Sequence, residues 1–355
     1  MITVPAPAGP GAFVHPALFY RNAAEYLSGV GDFVRAALAA DEPVLVAVPG
    51  PRLDALRESL GTGGGAGSVT WADMTELGRN PGRVLAALQE FADRHVGRAA
   101  RIVGEPIWPG RSPAEVREAT RHEALVNTAF AGRPATVLCP YDVAGLAPGV
   151  VSDARRTHPT SIERGQDLPS PAYAGASALS ADLDLPLPEP AGPVARLAYA
   201  HGGLAKVRAY AEEWARGTSL SPARRGDLIM AISEAAANSL AHGGGKGMLR
   251  LWTAGGPAAQ EAGNAAGGPA GGAARCAAGA VADVGAGVGM GVGVGVVAEI
   301  HDGGLLADPL AGRRRPTLAS ADGGRGLWMI HQLCDLVEVR ATEGGFTLRL
   351  HVATR

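Results

Sequence analysis

Along the first half of the chain, short runs of consecutive apolar residues alternate with stretches whose apolar positions recur every three to four residues. VLVAV (Val44–Val48) precedes a helical pattern from Arg52, SVTWA near Val69 precedes one from Pro81, RIVGE near Ile102 precedes one from Pro113, and ATVLC ends at Cys139. Apolar strands separated by amphipathic helices predict an α/β fold, a doubly wound, mostly parallel sheet with helices on both faces. The second half has another rhythm. Two helical patterns, about Gly202–Arg216 and Ser221–Ala241, come first, the second with Ser221 as N-cap and Pro222 at the first helical position. MLRLW (Met248–Trp252) and VVAEIHD, ending at Asp302, then read as strands, and a helical pattern after Gly326 leads to two closing strand patterns, LVEVRA and FTLRLHV.

Between the halves, residues 166–193 turn to Pro, Ala, Ser and acidic residues without a helical or strand period, which predicts a linker joining a first domain (12–165) to a second (194–355). Residues 253–295 are mostly Gly and Ala and predict a disordered excursion from a strand-to-strand loop. With 19% charged residues and a formal net charge of −2, the chain is neither a disordered polyelectrolyte nor an electrostatic nucleic-acid binder. Lys206 and Lys246 are the only lysines; the other basic residues are arginines. Cys139, Cys276 and Cys334 lie far apart, without disulfide-framework or zinc spacing, and point to a reducing, cytoplasmic compartment. No membrane span and no signal peptide is read.

In a parallel sheet the ligand site lies beyond the carboxyl ends of the strands, which here carry Glu105, Cys139, Tyr141 and Asp142. These four are expected to line one sensory pocket. The turn after the first apolar run, PGPRLD, lacks the G-x-x-x-x-G-K-[ST] phosphate cradle, so nucleotide is not expected there. His15 and His158, each followed by proline, could join this cluster as ligands, but lone histidines beside prolines are more often satisfied structural groups, and no metal is assigned to them.

Three separated pieces of the second half carry chemistry together. In ISEAAANSLAHGG, Glu234 and Asn238 stand four apart and share one helix face, a carboxylate that can activate a nucleophile beside an amide oxygen that can ligate Mg²⁺. In EIHDGGLL, Asp302 ends a strand and can accept a hydrogen bond from an exocyclic amine, with Gly304 allowing a ring to approach the backbone. In DGGRGLWMIHQLCD, Gly324, Arg325 and Gly326 lead into a helix whose N-terminal amides and dipole favour phosphate.

In this order the pieces resemble the N, G1 and G2 boxes of the GHKL (Bergerat) ATP-binding fold, an α/β sandwich, over about residues 197–353. The version resembles the anti-sigma-factor serine kinases. The resemblance implies Mg-ATP as cofactor, Glu234 as general base, Asn238 as Mg²⁺ ligand, Asp302 as the adenine-reading carboxylate and Gly324, Arg325 and Gly326 as phosphate-loop residues. Two departures stand out: Leu306 occupies a G1 glycine position, and Phe346 follows Gly345 where a threonine is usual, leaving Thr347 to supply the hydroxyl. Arg313, Arg314 and Arg315 fall in the implied ATP lid, as phosphate contacts or a solvated basic run. His201 lacks the acidic neighbour and long helical hairpin of a sensor histidine kinase, which stays the alternative.

HPALFYRNAAEYLSGVGDFVRAAL, DEPVLVAVP, RIVGEPIW, EALVNTAF, LCPYD and ARRTHP resemble the MEDS domain, a sensory module with a degenerate RecA/KaiC-like core. The combined resemblance implies a sensory domain controlling an ATPase that phosphorylates a protein antagonist on Ser or Thr, or an ATP-dependent switch that grips a sigma factor without transfer. Implied partners are a sigma factor and its antagonist, with homodimerisation left open and no nucleic acid or membrane.

Overall fold

The computed structural model describes residues 12–61, 69–255, 295–316 and 324–354. In the first half β1 (Phe13–Val14), β2 (Pro16–Tyr20), β3 (Val44–Val48), β4 (Val69–Asp73), β5 (Ala100–Gly104), β6 (Ala135–Asp142), β7 (Thr160–Glu163) and β8 (Gln166–Pro169) form one sheet. The strand order is β4-β3-β5-β6-β2-β7-β8, with β1 added to β6, and every pairing is parallel except β7 with β8. Alternate residues serve opposite faces. Val44, Val46 and Val48 pack with α1 (Ala23–Ala39) and α2 (Gly50–Leu60), whereas Leu45 and Ala47 pack with the layer of α3 (Met74–Leu77), α4 (Val84–Asp93), α5 (Pro113–Ala129) and α6 (Pro148–Thr157). Both faces are covered, as the unbroken apolar runs require. β2, which the apolar pattern did not single out, lies mid-sheet between β6 and β7.

The segment expected to be a structureless linker is built into the fold. Gln166–Pro169 pair antiparallel with β7, and α7 (Ala176–Leu183) buries Leu179 and Leu183 beside Ala124 of α5. Two leucines four apart are enough to seat a short helix when a neighbouring helix offers an apolar stripe, although eight residues carry too few turns for a clear period.

The second half is a five-stranded antiparallel sheet, order β12-β13-β11-β10-β9, made of β9 (Ala195–Ala200), β10 (Lys246–Ala254), β11 (Gly295–Asp302), β12 (Leu336–Thr342) and β13 (Gly345–Ala353). The helices α8 (Leu204–Arg216), α9 (Pro222–His242) and α10 (Arg325–Leu333) cover one face over an apolar core that includes Leu228, Ile232, Leu249, Ile300, Ile330 and Leu350. The opposite face is charged yet buried: Glu299 pairs with Arg250 at 2.8 Å and Arg349 at 2.6 Å, and His351 meets Glu338 at 2.9 Å. Carbonyls of Leu185 and Pro188 accept from Arg340 and Arg349, so the segment between the domains straps this face. β9 begins where only helices were expected. Thr253, Ala254 and Gly295, assigned by composition to the insert, belong to the paired strands, Ala254 opposite Gly295; residues 256–294 of that insert lie outside the described residues.

Candidate nucleotide-binding site

The Ser221 side chain accepts the Arg224 amide and Pro222 opens α9, which fixes where the helix starts. Burial of Leu228, Ala231, Ile232, Ala235 and Ala236 fixes its rotation. Glu234 and Asn238 then project together against the start of α10. There Gly324, the N-cap, has a φ of 90°, a left-handed conformation that glycine adopts without strain, and no side chain among the described residues caps the helix. Gly326 leaves the remaining space. A Cβ at Gly326 would lie 3.0 Å from Glu234 Oε2 and 3.2 Å from Asn238 Nδ2, so any larger residue would fill the corner that the carboxylate, the amide and the helix N-terminus share. An uncapped N-terminus with its positive dipole suits phosphate oxygens, and the adjacent Asn238 amide oxygen suits Mg²⁺.

Asp302, at the end of β11, is held from two sides. Ser239 Oγ donates to its Oδ2 at 2.5 Å and the Gly304 amide donates to its Oδ1 at 2.7 Å. Gly243, the C-cap of α9, packs so close that a Cβ there would overlap the carboxyl group. One helix therefore carries Glu234, Asn238 and the hydroxyl that orients Asp302. The hydroxyl is not the one expected. β13 pairs with β11 so that Phe346 stands opposite Asp302 and Thr347 opposite His301, and Thr347 Oγ1 lies 2.9 Å from His301 Nδ1. A one-residue displacement moves a strand side chain to the other face, so Thr347 points away from Asp302, and the hydroxyl beside that carboxylate is that of Ser239. A serine on the buried side of an alanine-lined helix was the available signal.

The basic run of the lid splits. Arg314 is exposed and pairs with Asp308 at 3.1 Å, and Arg315 is exposed 3.6 Å from Glu90. Arg313, by contrast, is buried 2.9 Å from Glu118 of α5, the same carboxylate that meets Arg340 at 2.6 Å. It is neither solvated nor turned to a phosphate, because Glu118 supplies the countercharge that a buried guanidinium requires. The far end of α10 is held too. Asn80 Nδ2 donates to the carbonyls of His331 (3.0 Å) and Cys334 (3.3 Å), while Arg83 donates to those of His331 and Gln332. These satisfy last-turn carbonyls that have no partner within the helix. His201 lies in the turn between β9 and α8, not on a dimerisation helix.

The four residues expected to share a pocket in the first domain are divided by the sheet. Glu105 is buried among Tyr20 Oη (3.1 Å), Tyr26 Oη (3.3 Å) and Arg52, and Arg52 also reaches Asp142 at 3.4 Å. Arg52 sits at the start of α2, where a P-loop would hold phosphate, and its charge is spent on these two carboxylates. Cys139 and Tyr141 point to the other face, beneath α5 and α6, since successive strand residues face opposite ways. There Cys139 joins His15, Glu123 and His158, which the linear sequence keeps far apart. Burial and the neighbouring His158 lower His15 to about 4.

Among the described residues no helix is long and apolar enough to cross a membrane. No curated protein matches the chain. Residues 14–159 match the family described as the MEthanogen/methylotroph, DcmR Sensory domain (MEDS), and residues 200–352 match the histidine kinase-like ATPase domain. The mostly parallel first sheet and the antiparallel second sheet covered by helices agree with those two matches. The chain therefore carries two family domains in series, a MEDS domain over residues 14–159 and a histidine kinase-like ATPase domain of the GHKL family over residues 200–352.

Proposed function

We propose that the chain is an anti-sigma-type regulator whose second domain binds Mg-ATP and phosphorylates a protein antagonist on Ser or Thr, under control of the first domain. The observation that supports this most is the close packing of Gly326 on Glu234 and Asn238, which brings a carboxylate, a side-chain amide and the N-terminus of α10 to one corner. In that arrangement Asn238 would hold Mg²⁺, the α10 amides and Arg325 would receive phosphate oxygens, and Asp302, oriented by Ser239, would accept from the adenine amine. Glu234 removes the proton from the incoming hydroxyl. Phosphoryl transfer asks little covalent chemistry of a protein beyond such positioning and charge stabilisation. The sensory part of the reading rests on contacts at both ends of the phosphate-binding unit, Glu118 with Arg313 in the lid and Asn80 with the end of α10. Two sites that bias one element are what coupling requires.

A second reading, an ATP-dependent switch that grips a sigma factor without transfer, is favoured by one departure, Phe346 standing opposite Asp302 where a hydroxyl residue is usual. Incubating the full chain with γ-labelled Mg-ATP and candidate antagonist proteins separates the readings. Label on antagonist serine or threonine, lost in Glu234→Gln, supports the kinase. Binding without label supports the switch, and label retained on a histidine of the chain itself supports a histidine kinase.

A further inference from the structure

Four side chains from four elements converge behind the first sheet: His15 between β1 and β2, Glu123 on α5, Cys139 on β6 and His158 at the end of α6. All four are buried, and one ligand-type atom from each lies within 4.8 Å of the others. The second nitrogens of the two imidazoles decide what these atoms do. His15 Nδ1 is 3.1 Å from Asn127 Oδ1, and His158 Nδ1 is 2.8 Å from the Ala154 carbonyl. With each Nδ1–H committed to an oxygen acceptor, each Nε2 presents a lone pair to the interior.

His15 Nε2 then faces Glu123 Oε2 at 3.2 Å and Cys139 Sγ at 3.3 Å, and His158 Nε2 faces Glu123 Oε2 at 3.3 Å. Only the thiol has a proton to give, and it lies 3.3 Å from the same carboxylate oxygen. Among the described residues His158 Nε2 and Glu123 Oε1 have no hydrogen-bond partner although both are buried, a cost of about 1–3 kcal/mol for each such group. Lone pairs gathered in this way are stabilised by a cation. Tetrahedral bonds of about 2.0–2.3 Å imply ligand separations of about 3.3–3.7 Å, close to the spacings found here.

We propose that His15, Glu123, Cys139 and His158 form a binding site for a divalent first-row transition ion, of which zinc is the best match. Two imidazoles, a thiolate and a carboxylate are borderline-soft donors, and oxygen-preferring Mg²⁺ or Ca²⁺ is a poor fit. Asn127 and the Ala154 carbonyl act as the outer partners that orient ligand imidazoles. Four protein ligands close the coordination sphere, so the ion belongs to structure or sensing and not to hydrolysis. The site also has a route outward. The helix that supplies Glu123, α5, carries Glu118 to the lid arginine Arg313, so occupancy braces the element that touches the ATPase domain.

The test uses the full-length chain, stripped with a chelator and titrated with Zn²⁺ against a chromophoric competitor, and separately with Co²⁺. The expected result is one ion per chain, a rise in the unfolding midpoint on loading, and a tetrahedral Co²⁺ spectrum with a thiolate charge-transfer band. Cys139→Ser should remove that band, and His158→Gln should weaken Zn²⁺ binding at least about 100-fold. Asn127→Ala, outside the ligand set and easier to fold, should weaken it about 10-fold or more. Stripped wild-type protein that takes up no Zn²⁺, a Co²⁺ complex without the thiolate band, or wild-type affinity in folded His158→Gln and Asn127→Ala would overturn the site.

Discussion

Asp302 shows how much of the nucleotide site is set by single atoms. Its two oxygens accept from Ser239 and from the Gly304 amide, an arrangement that fixes the orientation of the carboxylate. Ser239→Ala should therefore leave the fold intact and weaken Mg-ATP binding about 5- to 10-fold, the equivalent of one hydrogen bond of about 1–1.5 kcal/mol. Calorimetric titration of the variant checks this, and an unchanged affinity would return the role to another hydroxyl. His331, at the end of α10, works through burial. Burial, then the charges of Arg313 and Arg83, push its imidazole well below the ordinary value, and its Nδ1 has no hydrogen-bond partner among the described residues. Gly82 packs so closely on it that a Cβ there would overlap the ring. The folded state thus binds less proton than the unfolded chain. Its contribution is complete above pH of about 6.5 and is lost as pH falls below it, at up to about 1.4 kcal/mol per unit. Unfolding midpoints of wild type and His331→Gln between about pH 7.5 and 5.5 should diverge, with the variant less sensitive to acid.

At the scale of elements, the strand ends of β10 and β11 make a specific claim about the insert. Ala254 and Gly295 pair directly in an antiparallel ladder, so the chain ends that the insert connects already stand side by side. A short hairpin turn bridges such ends, and long loops add only about 0.6 kcal/mol per doubling of length. Replacing residues 256–294 by a short turn should leave nucleotide affinity and the unfolding midpoint nearly unchanged; a variant that does not fold would show that the Gly/Val run contributes structure. The same scale explains what the sequence made legible. Apolar runs and 3.6-residue periods located β3, β5, α5 and α9 because those elements bury whole faces against a core. α7 was missed because its two buried leucines say nothing until α5 is beside them. Thr347 was misplaced because facing depends on strand register, which a lone β-strand does not record.

Seen as a whole molecule, the two domains meet through charge. Glu118 on α5 is fully buried between Arg313 of the lid and Arg340 of β12, with Arg121 at 3.6 Å. Removing one member of a buried ion network leaves the others uncompensated, at about 3–5 kcal/mol. Glu118→Gln should accordingly loosen the domain contact, seen as faster hydrogen exchange in residues 309–316 and at the end of α10, and should change the output of the ATPase domain without altering its ligands. Exchange identical to wild type would separate the first domain from control of the second. This contact was invisible in the linear chain because its members are brought together only by the packing of α5 against both halves, whereas His15, Cys139 and His158 could be grouped from the sequence and only Glu123 needed α5 laid on the sheet to join them. The site of α9, β11 and α10 was the more legible because its residues come in ordered, closely spaced boxes. Its most direct test is calorimetric titration of Mg-ATP into the full-length chain and into Asn238→Ala and Asp302→Ala, with folding checked by circular dichroism. Saturable binding by wild type and none by either folded variant is the expected result; wild-type affinity in both variants would contradict the assignment.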